Sequence, residues 1–188
     1  MKRIIIASMF LIIACKEEKK EVVAQTEPQV KENVVEEAKA YSPVNESEEA
    51  KKWLGKSIED YFKADLSHQD KNMQKMTTKD YYEYKTDAMS VDLDVDGSLT
   101  EKEFNEKWKA KFDPTKAGIG VGFLISGQDW DHITVKSCEL KSSSKDAYTF
   151  NVMLADDSFK AKYPSVIKVV KENGSFLIAD ILQEVPNN

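Results

Sequence analysis

The chain has 188 residues, of which 41% are hydrophobic and 32% are charged, a composition typical of one compact domain with an additional segment outside it. Its formal net charge at pH 7 is -6. This acidic balance excludes nucleic acid as a main partner, because the phosphates of nucleic acids attract basic surfaces.

Residues 1–14 are predicted to be a secretory signal peptide. Lys2 and Arg3 precede an apolar run over residues 4–14 that is interrupted only by Ser8. This run is too short to cross a bilayer as a helix, which needs roughly 20 apolar residues. A basic start followed by a short apolar run is the pattern of an export signal. Removal of this segment takes away Lys2 and Arg3 and leaves a still more acidic chain.

The end of this run, "LIIAC", resembles a bacterial lipobox, and the resemblance implies that Cys15 is diacylated and becomes the mature N-terminus. The alternative is an ordinary signal peptide that contains a cysteine. A lipid on Cys15 would anchor the domain to a membrane without a spanning helix. With Cys15 acylated, Cys138 has no intramolecular partner and no disulfide is expected. The "KEE" after Cys15 also resembles the acidic export tag of some Gram-negative surface lipoproteins.

Residues 15–44 are predicted to be a disordered tether, and residues 45–188 the folded domain. The tether is rich in Glu, Lys, Val and Gln, with Tyr41 as its single aromatic residue, so it has too little apolar surface to fold. "NESE" then offers Asn45 or Ser47 as a helix cap, with Glu48 placed for a capping box on Asn45. One apolar stripe at helical spacing follows: Trp53, Leu54, Ile58, Tyr61, Phe62 and Leu66.

The segment before Asp92 is ambiguous between helix and strand. Met73 and Met76 suggest a short helix, and Thr77 or Thr78 could cap the next one. Tyr84, Ala88 and Val91 lie eight, four and one positions before Asp92, where an entering helix shows its apolar face. This spacing favours a helix slightly over a strand at residues 81–84.

The stretch "DLDVDGSLTEKE", residues 92–103, alternates acidic and apolar residues and is the strongest functional pattern in the chain. Calcium takes six to eight oxygen ligands, and a short loop supplies them if alternate side chains point inward while the chain turns sharply. Gly97 at position 6 can adopt the positive φ that this turn needs, and Leu99 at position 8 is placed to point into the core. The candidate ligands occupy positions 1, 3, 5, 7, 9 and 12: Asp92, Asp94, Asp96, Ser98, Thr100 and Glu103.

This spacing resembles the loop of the EF-hand, and the resemblance implies the ligand roles position by position. Ser98 would offer its backbone carbonyl, Thr100 would bind directly or through a water, and Glu103 would close the shell with both carboxylate oxygens. A single loop is more similar to solitary calcium loops of bacterial exported proteins than to paired calcium sensors. The alternatives are a magnesium site and a solvated acidic turn that holds no metal. We expect a structural Ca²⁺ site rather than a sensor.

After the loop, the pattern predicts one more helix and then strands. Thr100 and Glu103 form a capping box for a helix over residues 100–112, which should end near Asp113–Pro114 because proline cannot continue it. From Gly118 onward, strands are predicted. Their sequences are "IGVGFLISG", "HITVKSCEL", "AYTFNVMLAD", "SVIKVVK" and "SFLIADILQEV". The last two flank Asn173–Gly174, a strong hairpin signal.

Helices followed by an antiparallel meander indicate an α+β domain. This order, with the ending "IKVVKENGSFLIADI", resembles the NTF2-like superfamily over residues 48–186. The resemblance implies N-terminal helices packed on a curved antiparallel sheet, an NTF2-like or cystatin-like cone. The EF-hand-like loop and helix would be inserted before the sheet.

The remaining candidate residues carry weaker signals. His68 and His132 lack neighbours at ligand spacing, so zinc is not expected. Asp129 and Asp131 flank Trp130, either as a rim that grips a ligand or as a polar turn with one anchoring aromatic residue.

By the NTF2-like resemblance, Asp129 or Tyr148 could act as an acid or base. Cys138 reads as a small strand residue rather than a nucleophile. The tyrosines Tyr81, Tyr82 and Tyr84 fit either a pocket or ordinary packing.

These patterns predict a lipid-anchored, calcium-binding protein of the bacterial cell envelope, held at the outer membrane and either periplasmic or surface-exposed. The domain is expected to bind a small ligand or an envelope protein and not to be an enzyme. The alternatives are a hydrolase or isomerase that uses an NTF2-like cavity, and a purely structural envelope protein.

Overall fold

A computed structural model describes residues 43–127 and 129–184 of the chain. These residues belong to one compact unit. The predicted signal peptide, the lipid on Cys15 and all but the last two residues of the predicted tether lie outside the described residues.

The described chain is an α+β domain in which helices precede the sheet, as predicted. The helices are α1 (Pro43–Lys63), α2 (Leu66–Met76), α3 (Lys79–Ser90) and α4 (Glu101–Trp108), followed by a 3₁₀ turn at Pro114–Lys116. The strands are β1 (Ile133–Ser144), β2 (Ala147–Asp156), β3 (Ala161–Glu172) and β4 (Ser175–Gln183). They form one antiparallel sheet in the order β1-β2-β3-β4.

The sheet buries one face against the helices and leaves the other in solvent. Helix α1 packs mainly on β1, whereas α2 and α3 pack on β4. Both layers contribute fully buried residues to the core, among them Leu54, Ile58, Phe150, Leu154, Ile167 and Ile178. Asn151 and Lys168 lie between buried positions along their strands and are exposed, the alternation expected of an antiparallel sheet with one solvated face.

The predicted hairpin between the last two strands is confirmed. Asn173 has φ 50° and Gly174 has φ 81°, so both turn residues lie in the left-handed region. Two consecutive positive φ values characterise the type I′ turn, whose twist matches that of the flanking strands.

Two predicted details of the helices are wrong at their ends. Helix α1 begins at Pro43, so Asn45 and Ser47 lie inside it and do not cap it. Proline at the first helical position has its φ already set for a helix and lacks only an N–H that would have no helical partner. Leu66 starts α2 instead of extending the stripe of α1, and it is 74% exposed.

Two further predictions after the acidic loop are also corrected. The helix that was expected to reach residue 112 ends at Trp108, because the chain tightens into turns in which Lys111 N and Phe112 N both donate to Trp108 O. The run "IGVGFLISG" is not a strand. Gly118 and Gly120 have φ values of 60° and 70°, which an extended strand does not allow. Phe123, Leu124 and Ile125 of the run are nevertheless buried, whereas Ile119 is exposed. Gln183 holds this irregular segment by donating to Gly122 O at 2.9 Å.

Within the described ranges, no helix is both long and apolar enough to cross a membrane.

A buried carboxylate fastens the turn between β2 and β3 to the start of β1. Asp156 Oδ2 accepts from the backbone N–H groups of Asp131 at 2.7 Å and His132 at 3.2 Å, and its Oδ1 accepts from Ser158 at 2.9 Å and Phe159 at 3.1 Å. Burial raises the pKa of the Asp156 carboxyl, but the four backbone N–H groups together lower it by more than burial raises it. The pKa therefore lies below its usual range. The charged form is therefore the one that the fold stabilises.

We expect Asp156→Asn to lower the melting temperature by several degrees at pH 7. The amide nitrogen of the variant would face two backbone N–H groups, and it cannot accept a hydrogen bond from either of them. The lowered pKa of Asp156 stabilises the native state at pH values above the unfolded pKa of about 3.9. The difference in melting temperature between wild type and variant should therefore narrow as the pH falls below about 4. Thermal melts at several pH values measure this. Asp157→Asn, at an exposed neighbour paired with Lys136, is the matched control and should melt like wild type.

Candidate metal centre

The acidic segment lies between two helices, α3 and α4, which are joined by residues 91–100. The segment before Asp92 is a helix and not a strand. Thr78 caps α3 by accepting from Tyr81 N at 3.2 Å, as predicted. Tyr84, Ala88 and Val91 are buried, so the entering helix does present its apolar face to the core.

The exiting helix α4 is fixed to the domain by its own side chains. Phe104 and Trp108 are buried, and Tyr84 of α3 stacks on Phe104 at a ring-centroid distance of 5.5 Å. Asp87 Oδ2 accepts from Trp108 Nε1 and from Lys107 Nζ, both at 2.7 Å. These contacts hold the two helices together through aromatic packing and one shared carboxylate.

Hydrogen bonds within the loop give it a defined backbone. Asp92 N donates to Leu99 O at 3.0 Å and closes the base of the loop. Ser98 N donates to Val95 O at 3.1 Å, and the Ser98 hydroxyl donates to Leu93 O. Gly97 has φ 85°, the left-handed turn that position 6 was predicted to need. Asp92 also has a positive φ, 57°, a conformation that aspartate and asparagine tolerate better than most residues.

The apolar side chains of the loop differ in burial, and the one at position 8 faces the core as predicted. Leu99 is partly buried and packs against the core. Leu93 and Val95 point into solvent and are 51% and 59% exposed. The carboxylate residues between them are exposed as well, and within residues 43–127 and 129–184 none of Asp92, Asp94 and Asp96 forms an ion pair. The loop therefore concentrates negative charge that no basic side chain of the described chain neutralises.

Glu103 caps the exiting helix. Its Oε2 accepts from Thr100 N at 2.9 Å and from Thr100 Oγ1 at 2.7 Å, while Thr100 Oγ1 accepts from Glu103 N at 3.3 Å. This is the predicted capping box. The hydrogen bonds from Thr100 lower the pKa of the Glu103 carboxyl.

The carboxylates do not converge. Across the part of the chain that the structure describes, no group of three or more Asp, Glu, His or Cys side chains is placed to hold a metal ion. The donor set nevertheless suits calcium, since it supplies carboxylate, hydroxyl and carbonyl oxygens around a glycine turn. To bind the ion, the exposed aspartate side chains would have to rotate inward and Glu103 would have to leave Thr100.

The Asp129–Asp131 segment forms a polar turn with one anchoring aromatic residue. Asp131 Oδ2 accepts from the Ser158 hydroxyl at 2.6 Å. Trp130 meets Phe62 edge to face, with ring centroids 5.6 Å apart. Asp129 and His132 are exposed, and so is His68 in α2.

The other nominated side chains are engaged in packing. Tyr148 is buried and donates to Glu46 Oε2 at 2.6 Å, and Lys171 pairs with the same carboxylate. Tyr148 thus links the first turn of α1 to the sheet. Burial raises the pKa of the Cys138 thiol to about 11, which keeps it protonated and poorly nucleophilic at neutral pH.

The tyrosines before the loop differ in their surroundings. Tyr81 and Tyr84 belong to the core, and Tyr84 also stacks on Phe112 at 4.3 Å. Tyr82 is partly exposed and donates to Asp70 Oδ1 at 2.8 Å.

Sequence reasoning missed two polar residues that position this region, Asp87 and Lys85. Lys85 is 3% exposed, and its Nζ donates to Ala117 O at 2.9 Å and Gly118 O at 3.3 Å. Burial lowers the pKa of Lys85 to about 8. Helical spacing could have suggested its burial, because Lys85 lies next to Tyr84 and three positions before Ala88.

Comparison of the chain with protein-family models, with curated proteins and with solved structures found no match.

Proposed function

We propose that this protein is an exported, lipid-anchored calcium-binding protein in which residues 92–103 bind one Ca²⁺. The observation that supports the proposal most is the joint pattern of this loop. Its carboxylates stand at positions 1, 3, 5 and 12, Gly97 has the required positive φ, Leu99 packs on the core and a helix lies on each side. A solvated acidic turn would not need these features together.

The proposed ligands are the side chains of Asp92, Asp94, Asp96, Thr100 and Glu103, with the backbone carbonyl of Ser98. When bound, the ion would offset the repulsion among four carboxylates held within twelve residues. Calcium is favoured over magnesium, because magnesium requires shorter bonds and a near-ideal octahedron and retains several waters. A twelve-residue loop closed by glutamate accommodates the larger ion more readily.

The proposed role of the ion is structural. Helix α4 is already held by Phe104, Trp108 and Asp87, so the gain from calcium should fall mainly on the loop between the helices. Release of Glu103 from its capping box would oppose binding. Affinities of about 10⁻⁴ to 10⁻³ M, as in other extracellular modules, suit such a site.

The remainder of the proposal concerns the anchor and the domain. The lipobox resemblance supports acylation of Cys15 and attachment to the outer membrane of a bacterial envelope. The α+β order, with its terminal hairpin, supports an NTF2-like domain on a tether. We propose that this domain binds a small ligand or an envelope protein rather than catalysing a reaction. Of the two residues that the resemblance suggests as acid or base, Tyr148 is hydrogen-bonded to Glu46 and Asp129 is exposed.

Calcium at 1 mM is expected to raise the melting temperature of the wild-type protein, and Asp92→Asn should abolish this rise. With a dissociation constant near 0.1 mM, linkage gives about 1.5 kcal/mol, or roughly 3–6 °C for a domain of this size. Asparagine is a better replacement than alanine, because residue 92 has a φ of 57° that asparagine also tolerates. Melts in calcium and in chelator separate the loss of the ion from other effects.

Glu101→Gln is the matched control, because it removes the same charge within the loop at position 10, which has no ligand role. It should keep the full response to calcium. Equal melting temperatures of wild type in calcium and in chelator would contradict the proposal. A rise with magnesium that equals the rise with calcium would make the site a magnesium site.

A further inference from the structure

A cavity of about 300 Å³ lies beside the C-terminal end of α1, and its described lining contains no residue of the acidic loop. Its walls come from α1, α2, the end of α3 and a set of residues between the helices and the sheet: Gly122, Phe123, Leu124, Ile125, Gly127 and Trp130. The volume is at the lower end of the range of small-ligand sites. Four aromatic and two sulfur-containing side chains line it: Tyr61, Phe62, Phe123, Trp130, Met73 and Met89.

The aromatic rings form walls rather than a stack. Tyr61 and Phe62 meet at 88° with centroids 5.1 Å apart, and Phe62 and Trp130 meet at 77°. Tyr61 and Phe123 meet at 69° and 5.3 Å. Rings arranged at steep angles present both edges and faces to a shared space. The faces carry partial negative charge and attract cations.

A single charged residue, Asp70, stands among the lining residues that the structure describes. Asp70 is exposed, and its Oδ1 accepts from the Tyr82 hydroxyl at 2.8 Å, which orients the carboxylate. Burial and, after it, the negative charge of Asp70 raise the pKa of Tyr61 to about 12, so this charge acts on a ring of the cavity wall. Lysine, arginine and histidine are absent from the described lining.

We propose that this cavity binds a small organic cation, a quaternary or tertiary ammonium with an apolar group, and that Asp70 is its counter-ion. The ammonium would lie between the Asp70 carboxylate and the aromatic faces, and the apolar group would contact Met73 and Met89. An anion would face uncompensated repulsion from Asp70. A neutral molecule would fill the space but would gain no charge interaction with Asp70.

This inference deepens the proposed ligand-binding function by giving the ligand class and the site, and it does not depend on the calcium loop. It also gives Trp130 a role that the sequence only outlined, because the residue anchors the turn and lines the cavity.

The test is a calorimetric titration of the purified protein with benzyltrimethylammonium, in 1 mM calcium and again in chelator. We expect saturable binding to the wild type. Asp70→Asn should weaken binding at least about fivefold, the effect of losing roughly one favourable charge interaction. The matched control is Asp65→Asn, which removes the same charge from an exposed residue outside the cavity and should change binding less than about twofold.

Two further measurements make the outcome decisive. Trp130→Leu should also weaken binding, and circular dichroism checks that this variant keeps its fold. Benzyl alcohol, which has the same ring without the charge, should bind to the wild type more weakly than the cation. Absence of saturable binding to wild type would overturn the proposal. So would an equal loss in Asp70→Asn and Asp65→Asn, or equal binding of benzyl alcohol. Failure here with calcium binding intact would leave the calcium proposal standing, and the reverse also holds.

Discussion

Phe104→Ala is expected to destabilise the domain by about 3–5 kcal/mol, the usual cost of truncating a fully buried aromatic side chain. Phe104 is 0% exposed and stacks on Tyr84, so alanine would leave a cavity between α3 and α4. Because this packing holds the exiting helix without help from the loop, the loss should be similar in calcium and in chelator. Urea unfolding at pH 7 under both conditions measures it.

Phe159→Ala is the matched control for this change. Phe159 lies in the turn after β2 and is 58% exposed, so its truncation should alter the free energy of unfolding by less than about 0.5 kcal/mol. A loss for Phe104→Ala that is no larger than that of the control would contradict the packing described for the helix–loop–helix.

Lys85 is expected to add about 2 kcal/mol to the free energy of unfolding between pH 7 and pH 9.5. Burial lowers the pKa of native Lys85 to about 8, whereas an unfolded lysine titrates near 10.4. At this residue the unfolded chain binds more protons than the native one in this interval, so its contribution to native stability increases with the pH. Lys85→Met removes the titrating group and should flatten this part of the profile.

The upper limit of the interval is set by the buried tyrosines. Burial raises the pKa of Tyr61, Tyr81 and Tyr84 above the usual value near 10, so their contribution is present below pH 10 and is lost at higher pH. The Cys138 thiol also titrates in this interval, because burial raises its pKa to about 11 whereas an unfolded thiol titrates near 8.5, and it lowers stability as the pH rises. Denaturant unfolding at pH 7, 8, 9 and 9.5 in a Cys138→Ala background therefore isolates the lysine. Lys79→Met, at an exposed position of the same helix, should keep the wild-type slope. An unchanged slope in Lys85→Met would show that another group titrates.

The parts of this domain that depend on neighbouring residues could be predicted from the sequence. The hairpin at Asn173–Gly174 and the capping box of Thr100 with Glu103 each need only a few adjacent residues. The helix before Asp92 was less certain, since Tyr81, Tyr82 and Tyr84 fit a strand as well as a helix. In the structure Ala88 and Val91 are buried on one face of a helix. This burial depends on packing against the rest of the fold, which the local sequence does not show.

The errors arose where local preference and tertiary packing compete. The apolar run around Phe123 has the composition of a strand, but the positive φ values at Gly118 and Gly120 prevent one, and the run fills the core as an irregular segment instead. Helix α1 begins earlier than expected because Pro43 suits a first turn better than Asn45 suits a cap.

The remaining features join residues that are distant in the sequence. Asp156 binds backbone groups of Asp131 and His132 some 25 residues away, and Lys85 reaches Ala117. The aromatic cavity likewise assembles Tyr61, Asp70 and Trp130 from three separate segments. No spacing along the chain indicates such contacts. The loop ligands differ because all of them lie within twelve consecutive residues, and their spacing is itself the signal.

Calorimetric titration of the chelator-stripped protein with CaCl₂ tests the central claim most directly. We predict one saturable site with a stoichiometry near one ion per chain and a dissociation constant of about 10⁻⁴ to 10⁻³ M, and no such site in Asp92→Asn. Absence of saturable calcium binding by the wild type, or equal binding by Asp92→Asn, would contradict the assignment of residues 92–103 as a calcium loop.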